Sequence, residues 1–276
     1  MKTLIVQSYR NHNVPAWIAR CMASVRAWAT EQGFDYQVAG DDSFALCGAD
    51  YLAAVGDNVR SITNLSRLIL VQRAHAAGYE RAVWLDADIF VFAPEQLRIE
   101  LTSRYGFARE AWLMRGEDDR WTAAEGVNNS VFACMAGEPD LAWLIGALRH
   151  VALHRRIESN YQVGGDFIKG LRASLAFEAL EHFGMYSADV VRALARGETL
   201  ALHAQARFQG APVYAANLCA APRYVPPVGE AEALAAMDAL ERTRGEIVNA
   251  WVAEGKLQAQ PSPGVTYFWL SQTGAA

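Results

Sequence analysis

Two aspartates, Asp86 and Asp88, directly follow the short apolar segment 81–85. If that segment is a buried strand, it delivers both carboxylates to its carboxyl end, where open α/β sheets bind their ligands. Two clustered carboxylates repel each other unless a cation or a proton lies between them, and a hard divalent ion with oxygen ligands relieves this repulsion. Asp-x-Asp alone is common by chance, so the interpretation depends on this placement. The pair indicates a metal site that binds a phosphorylated substrate.

The surroundings of the acidic pair resemble those in the GT-A-fold nucleotide-sugar transferases, and most closely the retaining branches similar to families 8 and 34. The pattern in that group is an Arg-containing helix, a strand, an Asp-x-Asp pair and an apolar stretch that ends in Pro. This chain has the matching segments Ser66-Arg67-Leu68, Trp84-Leu85-Asp86-Ala87-Asp88 and Pro94. The resemblance covers residues 1–210 loosely and 60–95 well. It implies a UDP-sugar donor, Mn²⁺ or Mg²⁺, and transfer with retention of configuration.

The same resemblance implies how the nucleotide is bound. The opening Val6-Gln7-Ser8-Tyr9 is similar to the nucleotide-binding first strand and loop of such enzymes. Arg67 matches an arginine that reaches the nucleotide, although a surface arginine on an amphipathic helix is the alternative. The predicted nucleotide-binding residues, taken from this match and from predicted strand ends, are Ser8, Tyr9, Asp41, Arg67, Asp86, Ala87 and Arg207.

Two further segments resemble the part of the family's site that holds the sugar. Residues 127–132 resemble its Asn-x-Gly-Val segment beside the donor sugar, although Ser130 stands where Gly is usual. Asn128 would hydrogen-bond sugar hydroxyls; a plain turn before a strand is the alternative. Gly164-Gly165-Asp166-Phe167 resembles the segment where an acidic or amide side chain lies near the anomeric carbon. The resemblance therefore makes Asn128 and Asp166 the predicted catalytic residues.

A late histidine is the third protein ligand of the metal in the family, and His203 lies near the end of a segment, 199–204, that we predict to be a strand. The predicted metal ligands are therefore Asp86, Asp88 and His203. The Lys-Pro-Trp that usually follows is missing, and Arg207 stands in for the lysine as a cation for the diphosphate, because arginine chelates phosphate oxygens well. His150 and His154 are four residues apart on a predicted helix, where a solvated face is the simpler interpretation.

These residues need a parallel sheet to bring them together. Residues 4–7 and 35–39 read as short strands around a helix over 16–30, and a second helix over 62–77 leads into the strand 81–85. Further strands are predicted over 105–108 and 131–135, and helical spacing returns over 230–254, with Gly245 as its weak point. We predict an α/β, GT-A (Rossmann-like) fold with a mostly parallel central sheet flanked by helices. A single domain spans 1–276, with a catalytic core over 1–210 and a helical extension over 211–276.

Composition limits the partners. The chain has 276 residues, 52% of them hydrophobic, and a net charge of −5 without a long basic block, so we expect no nucleic-acid partner. Its four cysteines form no Cys-x-x-Cys pair, which favours a reducing compartment and no zinc site. No apolar stretch approaches the roughly 18 residues of a transmembrane helix. We expect a cytoplasmic protein and leave peripheral attachment to a membrane open.

The function that we predict is metal-dependent transfer of a sugar from a nucleoside-diphosphate sugar to the hydroxyl of a saccharide, lipid or small molecule. One alternative is a sugar-nucleotide-binding protein without turnover. A haloacid-dehalogenase-type phosphatase also uses Asp-x-Asp, but it has Thr or Val two residues after the second Asp, where this chain has Phe90. A nucleotidyltransferase requires a Gly-rich first loop, and residues 8–11 contain no Gly.

Overall fold

The structure is a computed structural model, and it describes residues 1–115, 121–157, 160–172, 174–218, 227–256 and 268–270. Its strands are β1 (Thr3–Ser8), β2 (Asp35–Ala39), β3 (Arg81–Leu85), β4 (Ile89–Val91), β5 (Tyr105–Arg115), β6 (Trp121–Met135), β7 (Glu178–Leu180), β8 (Phe183–Met185), β9 (Ala215–Asn217) and β10 (Phe268–Leu270). Its helices are α1 (Ala16–Glu31), α2 (Ala49–Val55), α3 (Val59–Ala76), α4 (Pro139–His154), α5 (Gly165–Leu171), α6 (Ala188–Arg196), α7 (Thr199–Gln209), α8 (Glu230–Thr243) and α9 (Glu246–Asn249). Short 3-10 helices cover Asp41–Cys47, Asn160–Val163 and Val252–Glu254.

The central sheet has the strand order β2-β1-β3-β6-β5-β7, with β10 also paired to β6. Strand β1 runs parallel to both β2 and β3, and β7 runs parallel to β5. Strand β6 is antiparallel to both of its neighbours, so the sheet is mixed. A second, small sheet has the order β4-β9-β8. The predicted α/β fold with helices flanking a central sheet is confirmed.

Alternating side chains of β1 and β3 are buried on both faces of the central sheet. Val6 and Trp84 pack into the cluster that contains the apolar faces of α3 and α4. Ile5 and Val83 pack on the other face, in the cluster of Trp28 from α1. Because successive strand residues point to opposite faces, continuous apolar runs are the expected pattern for strands covered on both sides.

The carboxyl ends of β1, β2 and β3 meet at one edge of the sheet. Ser8 is the register partner of Ala39, and Val6 is the partner of Trp84, which places the residues after Leu85 beside the end of β1. Helix α3 also begins at this edge. It precedes β3 in the chain and runs to the opposite edge, where β3 starts. The side chain of Asn58 accepts a hydrogen bond from the backbone N–H of Ser61 and so caps the first turn.

An irregularity in the β5–β6 pairing shapes this edge further. Phe107 pairs with Phe132, but the next residue, Ala108, pairs with Asn128, so β6 carries extra residues that β5 does not match. The extra residues pair with β3 instead, where Leu85 is the partner of Val131. Bulges of this kind bend a strand and redirect its side chains. The segment that we predicted to lie near the sugar is therefore inside a strand and is not a turn before one.

The predicted strand over 199–204 is wrong, because α7 occupies these residues. Buried residues of α7 recur every three or four positions, at Ala201, Gln205 and Phe208, which is the period of a helix. Gly210 ends the helix in the left-handed conformation. The six residues on which the strand prediction rested are too few to distinguish the two periods.

The helices after residue 227 pack on the rest of the chain. Helix α8 contacts α6 and α1, and the expected break at Gly245 is confirmed, since α8 ends one residue before Arg244 and α9 begins at Glu246. Within the described ranges, no helix combines the length and apolar character needed to cross a bilayer. The described cysteines, Cys21, Cys47 and Cys134, are buried and free, while Cys219 lies outside the described residues.

Gly245 allows the C-terminal helices to approach the segment after the acidic pair. Its φ is +83°, and a Cβ atom there would lie 2.5 Å from Cε2 of Phe92. Gly33 has a similar φ of +68° but nothing within 4 Å of the same position. Gly33→Ala should cost about 1 kcal/mol from backbone conformation alone. Gly245→Ala should cost about 1–3 kcal/mol more because the methyl group overpacks against Phe92. Urea denaturation of both variants measures the difference, and equal losses would show that this contact does not constrain the fold.

Candidate functional site

The backbone of Asp86 is held from both neighbouring strands. Its N–H donates to the carbonyl oxygen of Ser130 at 2.8 Å. Its carbonyl oxygen accepts a hydrogen bond from Nε2 of Gln7 at 3.1 Å, and Gln7 is itself fixed by the hydroxyl of Tyr36, which donates to Oε1 at 2.8 Å. The Gln7 side chain is fully buried. These bonds fix the position of the backbone where the chain leaves β3, and hence the position from which the side chains of both aspartates extend.

The carboxylate of Asp86 meets a buried arginine. Its Oδ1 accepts from Nε1 of Trp84 at 2.6 Å and lies 3.2 Å from Nη2 of Arg67. Nη1 of Arg67 donates to the carbonyl oxygen of Asn129, and the guanidinium carbon lies 5.2 Å from the centre of the Trp84 ring system. We predicted that Arg67 contacts the nucleotide; in the structure its guanidinium joins α3, β3 and β6 around Asp86.

Burial affects the two charges in opposite directions. It raises the pKa of Asp86, while the positive charge of Arg67 and the hydrogen bond from Trp84 act against that rise. It lowers the pKa of Arg67, and here the charges of Asp86 and Asp88 oppose it. The side chain of Arg67 is only 6% exposed, whereas that of Asp86 is 28% exposed. A ligand can therefore reach the carboxylate of Asp86 but not the guanidinium behind it.

Asp88 is joined to a residue from far along the chain, Asn217. The β4–β9 pairing makes Asn217 the register partner of Ile89, next to Asp88. Nδ2 of Asn217 donates to Oδ1 of Asp88 at 2.6 Å, and the N–H of Leu218 donates to the carbonyl oxygen of Asp88 at 3.0 Å. Sequence reasoning missed Asn217. The only signal was the pair of alanines at 215–216 before it, which is too short a segment to predict a strand.

Ala87 points away from both aspartates. It is buried in the apolar cluster that includes Trp17 of α1, Val190 of α6 and Ala204 of α7. Asp86 and Asp88, on either side of it in the turn between β3 and β4, are both half-buried. The only contact that Ala87 can offer a nucleotide is therefore through its backbone.

The structure does not bring His203 to the acidic pair. His203 is on α7, where its Nε2 lies 2.8 Å from Oε2 of Glu254 and its ring lies edge-on to Trp251. Arg207, one turn later, donates from Nε to the carbonyl oxygen of Gly255 at 3.3 Å. Both residues thus tie α7 to the segment at 251–255. Across the part of the chain that the structure describes, no group of three or more His, Cys, Asp and Glu side chains is placed to hold a metal ion.

The residues predicted to hold the sugar belong to a second polar group. Nδ2 of Asn128 donates to Oε1 of Glu110 at 2.8 Å, and its Oδ1 accepts from the backbone N–H of Ser130 at 2.9 Å. The other oxygen of Glu110 forms an ion pair with Nζ of Lys169. Asp166 is exposed in the first turn of α5 and lies three residues before Lys169, on the same helix face. Helix α5 therefore carries Asp166 to the strand that holds Asn128.

Glu110 and Lys169 were not predicted from sequence, although both contribute to this group. Glu110 is 9% exposed, inside the long strand β5. Gly126, its register partner, leaves room for the ion pair, because a Cβ atom there would lie 2.7 Å from Cε of Lys169 and 3.2 Å from Oε2 of Glu110. A carboxylate among apolar strand residues was the available signal, but its partner lies 59 positions later and only the fold brings the two together.

The predicted nucleotide-binding residues near the start of the chain reach the same edge as the acidic pair. Ser8 ends β1, and the N–H of Tyr9 donates to the carbonyl oxygen of Ala39 at 3.3 Å. Asp41 is exposed at the start of the 3-10 helix that follows β2. Tyr9 is half-buried against the apolar cluster that contains Ala87. The structure thus brings Ser8, Tyr9 and Asp41 to the strand ends beside Asp86.

The Arg67–Asp86 pair should be strongly coupled because removal of one partner leaves the other charge poorly compensated. Arg67→Met should lower the free energy of unfolding by about 2–4 kcal/mol. Arg67→Met combined with Asp86→Asn should lose less than the sum of the two single changes, by about 1–3 kcal/mol. A double-mutant cycle in urea measures this coupling. The exposed pair of Arg20 and Asp238 is the control and should show less than about 1 kcal/mol. Additive effects at Arg67 and Asp86 would contradict the assignment.

Comparison with known proteins gives a likeness of fold. No protein-family model matches the chain, and no curated protein matches it. Among solved structures it is similar to a glycosyltransferase involved in the glycosylation of the major capsid of PBCV-1, with a TM-score of 0.50 and 9% identity over 86% of this chain and 99% of that chain. Mouse xyloside xylosyltransferase 1, in its apo form, gives a TM-score of 0.39 at 14% identity, over 78% of this chain and 96% of that chain. A197 from STIV gives a TM-score of 0.24 at 10% identity, over 49% of this chain and 65% of that chain. Of these, the PBCV-1 likeness is the one strong enough to compare folds: this chain has a mixed α/β fold similar to that of a glycosyltransferase.

Proposed function

We propose that this protein is a glycosyltransferase that uses a nucleoside-diphosphate sugar, with a UDP-sugar as the donor. The observation that carries the proposal is the common edge formed by the ends of β1, β2 and β3. There the half-buried aspartates Asp86 and Asp88 stand beside Ser8, Tyr9 and Asp41. Ligands of open α/β sheets bind at the carboxyl ends of the strands. The fold likeness to a glycosyltransferase is consistent with sugar transfer at this edge.

The donor atoms at the acidic pair suit a divalent cation. Both contacts described for the Asp86 carboxylate go to Oδ1. The Asp88 carboxylate meets the neutral amide of Asn217, whose oxygen and nitrogen exchange places by a simple rotation. Oxygen ligands of this kind are those that Mg²⁺ and Mn²⁺ accept, with phosphates and water in the remaining positions. Asp86 and Asp88 would hold the ion, and Asn217 replaces His203 as the third protein residue in the proposal. When bound, the ion would neutralise the charge that develops on the departing diphosphate.

The chain's own residues would divide the remaining work between donor and acceptor. Ser8, Tyr9 and Asp41 would bind the base and ribose at the ends of β1 and β2. Arg67 keeps the Asp86 carboxylate in place from behind, so it acts as a positioning residue. Transfer to an acceptor hydroxyl, with retention, is what the family resemblance implies. The enzyme's main task would then be to hold that hydroxyl against the anomeric carbon.

The second polar group is the proposed position of the transferred sugar. Asn128 is fixed at both ends of its amide, by Glu110 and by the N–H of Ser130, so its orientation is set before a ligand arrives. Preorganised polar groups of this kind stabilise a transition state without reorganisation at the moment of reaction. Asp166 is exposed on the neighbouring helix and can approach a sugar held there. Glu110 and Lys169 would fix the position of Asn128.

Nucleotide binding should depend on a divalent cation through Asp88. UDP should raise the melting temperature of the wild type more with Mn²⁺ than with EDTA, because a ligand that binds the native state stabilises it by mass action. Asp88→Asn should remove most of this difference. Asp88 is a better test than Asp86 because Asp88→Asn leaves the Arg67–Asp86 ion pair in place, whereas Asp86→Asn breaks it.

Glu31→Gln is the matched control for the loss of one negative charge. Glu31 is exposed and ends α1, next to the amino end of β2 and so at the opposite edge of the sheet. Glu31→Gln should show the same UDP-induced shifts in melting temperature as the wild type, both with Mn²⁺ and with EDTA. GDP, ADP and CDP in the same assay test the choice of base. Equal stabilisation by UDP with Mn²⁺ and with EDTA would refute metal-coupled binding.

Transfer should depend on Asn128 and Asp166 while nucleotide binding does not. Asn128→Ala and Asp166→Ala should each lower the rate of UDP release from a hydrolysed or transferred UDP-sugar by about 10²-fold. Both should keep the Mn²⁺-dependent UDP shift, since neither side chain is placed at the nucleotide. Glu31→Ala is the control for Asp166→Ala. Either variant losing UDP binding while folded would show that its residue is misplaced, and a wild type that binds but turns over no donor would favour the binding-protein alternative.

A further inference from the structure

The outer face of α4 exposes large apolar side chains. Its inner face, formed by Leu141, Leu144 and Leu148, is buried. On the outside, Trp143 is 49% exposed and Leu153 is 41% exposed. The two lie about 15 Å apart along the helix axis. Both side chains lie on the solvent side of α4, about 80° apart around the helix axis. The outer face therefore exposes one large apolar side chain in each half of the helix.

The residues between and around these two side chains are small or basic. Gly146, Ala147, His150 and His154 complete the outer stripe, at helical spacings of three, four, seven and eleven from Trp143. The rings of His150 and His154 stack at 4.2 Å. The stripe therefore carries no long polar side chain that would keep its surface hydrated.

The stripe itself carries no acidic residue. No Asp or Glu occurs from residue 141 to residue 157, in a chain that has 30 acidic residues and a net charge of −5. Arg155 and Arg156 follow the helix and are exposed. The acidic residues that flank this range on the chain are Asp140, which accepts a hydrogen bond from the hydroxyl of Tyr105, and Glu158, which lies outside the described residues. Asp50 of α2 is paired with Arg149 on the side of α4. The surface is thus apolar along the helix and cationic at its end.

We propose that this outer face of α4 binds the surface of an anionic lipid membrane. Tryptophan favours the membrane–water interface. A helix with one exposed apolar face and adjacent cations lies in the plane of that interface, with its apolar side chains below the headgroups. Arg155 and Arg156 are placed to meet anionic headgroups, and each arginine adds electrostatic attraction to the membrane surface. A protein partner would require matched hydrogen-bonding groups, and the stripe offers only two imidazoles.

Vesicle co-sedimentation tests this surface. The wild type should bind vesicles of equal parts phosphatidylcholine and phosphatidylglycerol and bind pure phosphatidylcholine much more weakly. Trp143→Ser with Leu153→Ser should lower the affinity for the mixed vesicles by at least about tenfold, because the buried apolar area is lost. Arg155→Glu with Arg156→Glu should do the same by reversing the attraction to anionic headgroups.

The controls change exposed residues of the same types at other places on the protein. Leu200→Ser changes a leucine that is 40% exposed on α7, and Arg242→Glu changes an exposed arginine of α8; both should bind vesicles like the wild type. Far-UV circular dichroism checks that every variant is folded. The proposal fails if the wild type ignores anionic vesicles, or if the α4 variants bind as it does. It also fails if Trp143→Ser turns an oligomer into a monomer, since the face would then join copies of this chain.

Discussion

The ion pair between the buried Arg67 and the half-buried Asp86 is the interaction on which the site depends. A guanidinium that is 6% exposed loses nearly all its hydration, and burial lowers its pKa accordingly. The structure compensates with the Asp86 carboxylate, the carbonyl oxygen of Asn129 and the face of Trp84. These partners come from β3 and β6, and the arginine comes from α3. One charge therefore requires three elements to meet at a single point, and that point is the end of β3.

The topology of the sheet explains what else arrives there. Parallel strands end at the same edge, so Ser8 and Asp41 reach the edge that carries the acidic pair although they are separated from it by 45 residues or more. Strand β6 is antiparallel to β3 and passes this edge in the middle of its length. Its bulge opposite Phe107 leaves Ser130 to pair with Asp86 and leaves Asn128 to face Glu110. The proposed nucleotide-binding edge and the proposed sugar position are thus joined by one strand.

The strands and helices that could be predicted from the sequence are those that local residue patterns determine. The strand at 81–85 and the strand at 35–39 have the predicted bounds, because each is a short apolar or alternating run next to a glycine turn or an acidic residue. The pairs that complete the site could not be predicted this way. Glu110 with Lys169, and Asp88 with Asn217, are joined across 59 and 129 residues. His203 was chosen because a late histidine after an apolar segment resembled a ligand, but helical spacing places it beside Glu254.

The exchange of His203 for Asn217 changes the chemistry expected of the proposed cation site. A histidine ligand must lose its proton before it binds metal, so protons compete with the ion near neutral pH. An amide has no such proton, and competition would be left to the carboxylates. The site would also lose its nitrogen donor, and an all-oxygen set suits hard ions such as Mg²⁺ as well as Mn²⁺. The selectivity of the site would then depend on how rigidly its oxygens are held. The side chain of Gln7 and the carbonyl oxygen of Ser130 fix the backbone of Asp86 by hydrogen bonds, and the N–H of Leu218 fixes the backbone of Asp88. Such rigid placement favours the small octahedral ions over larger ones that need more ligands.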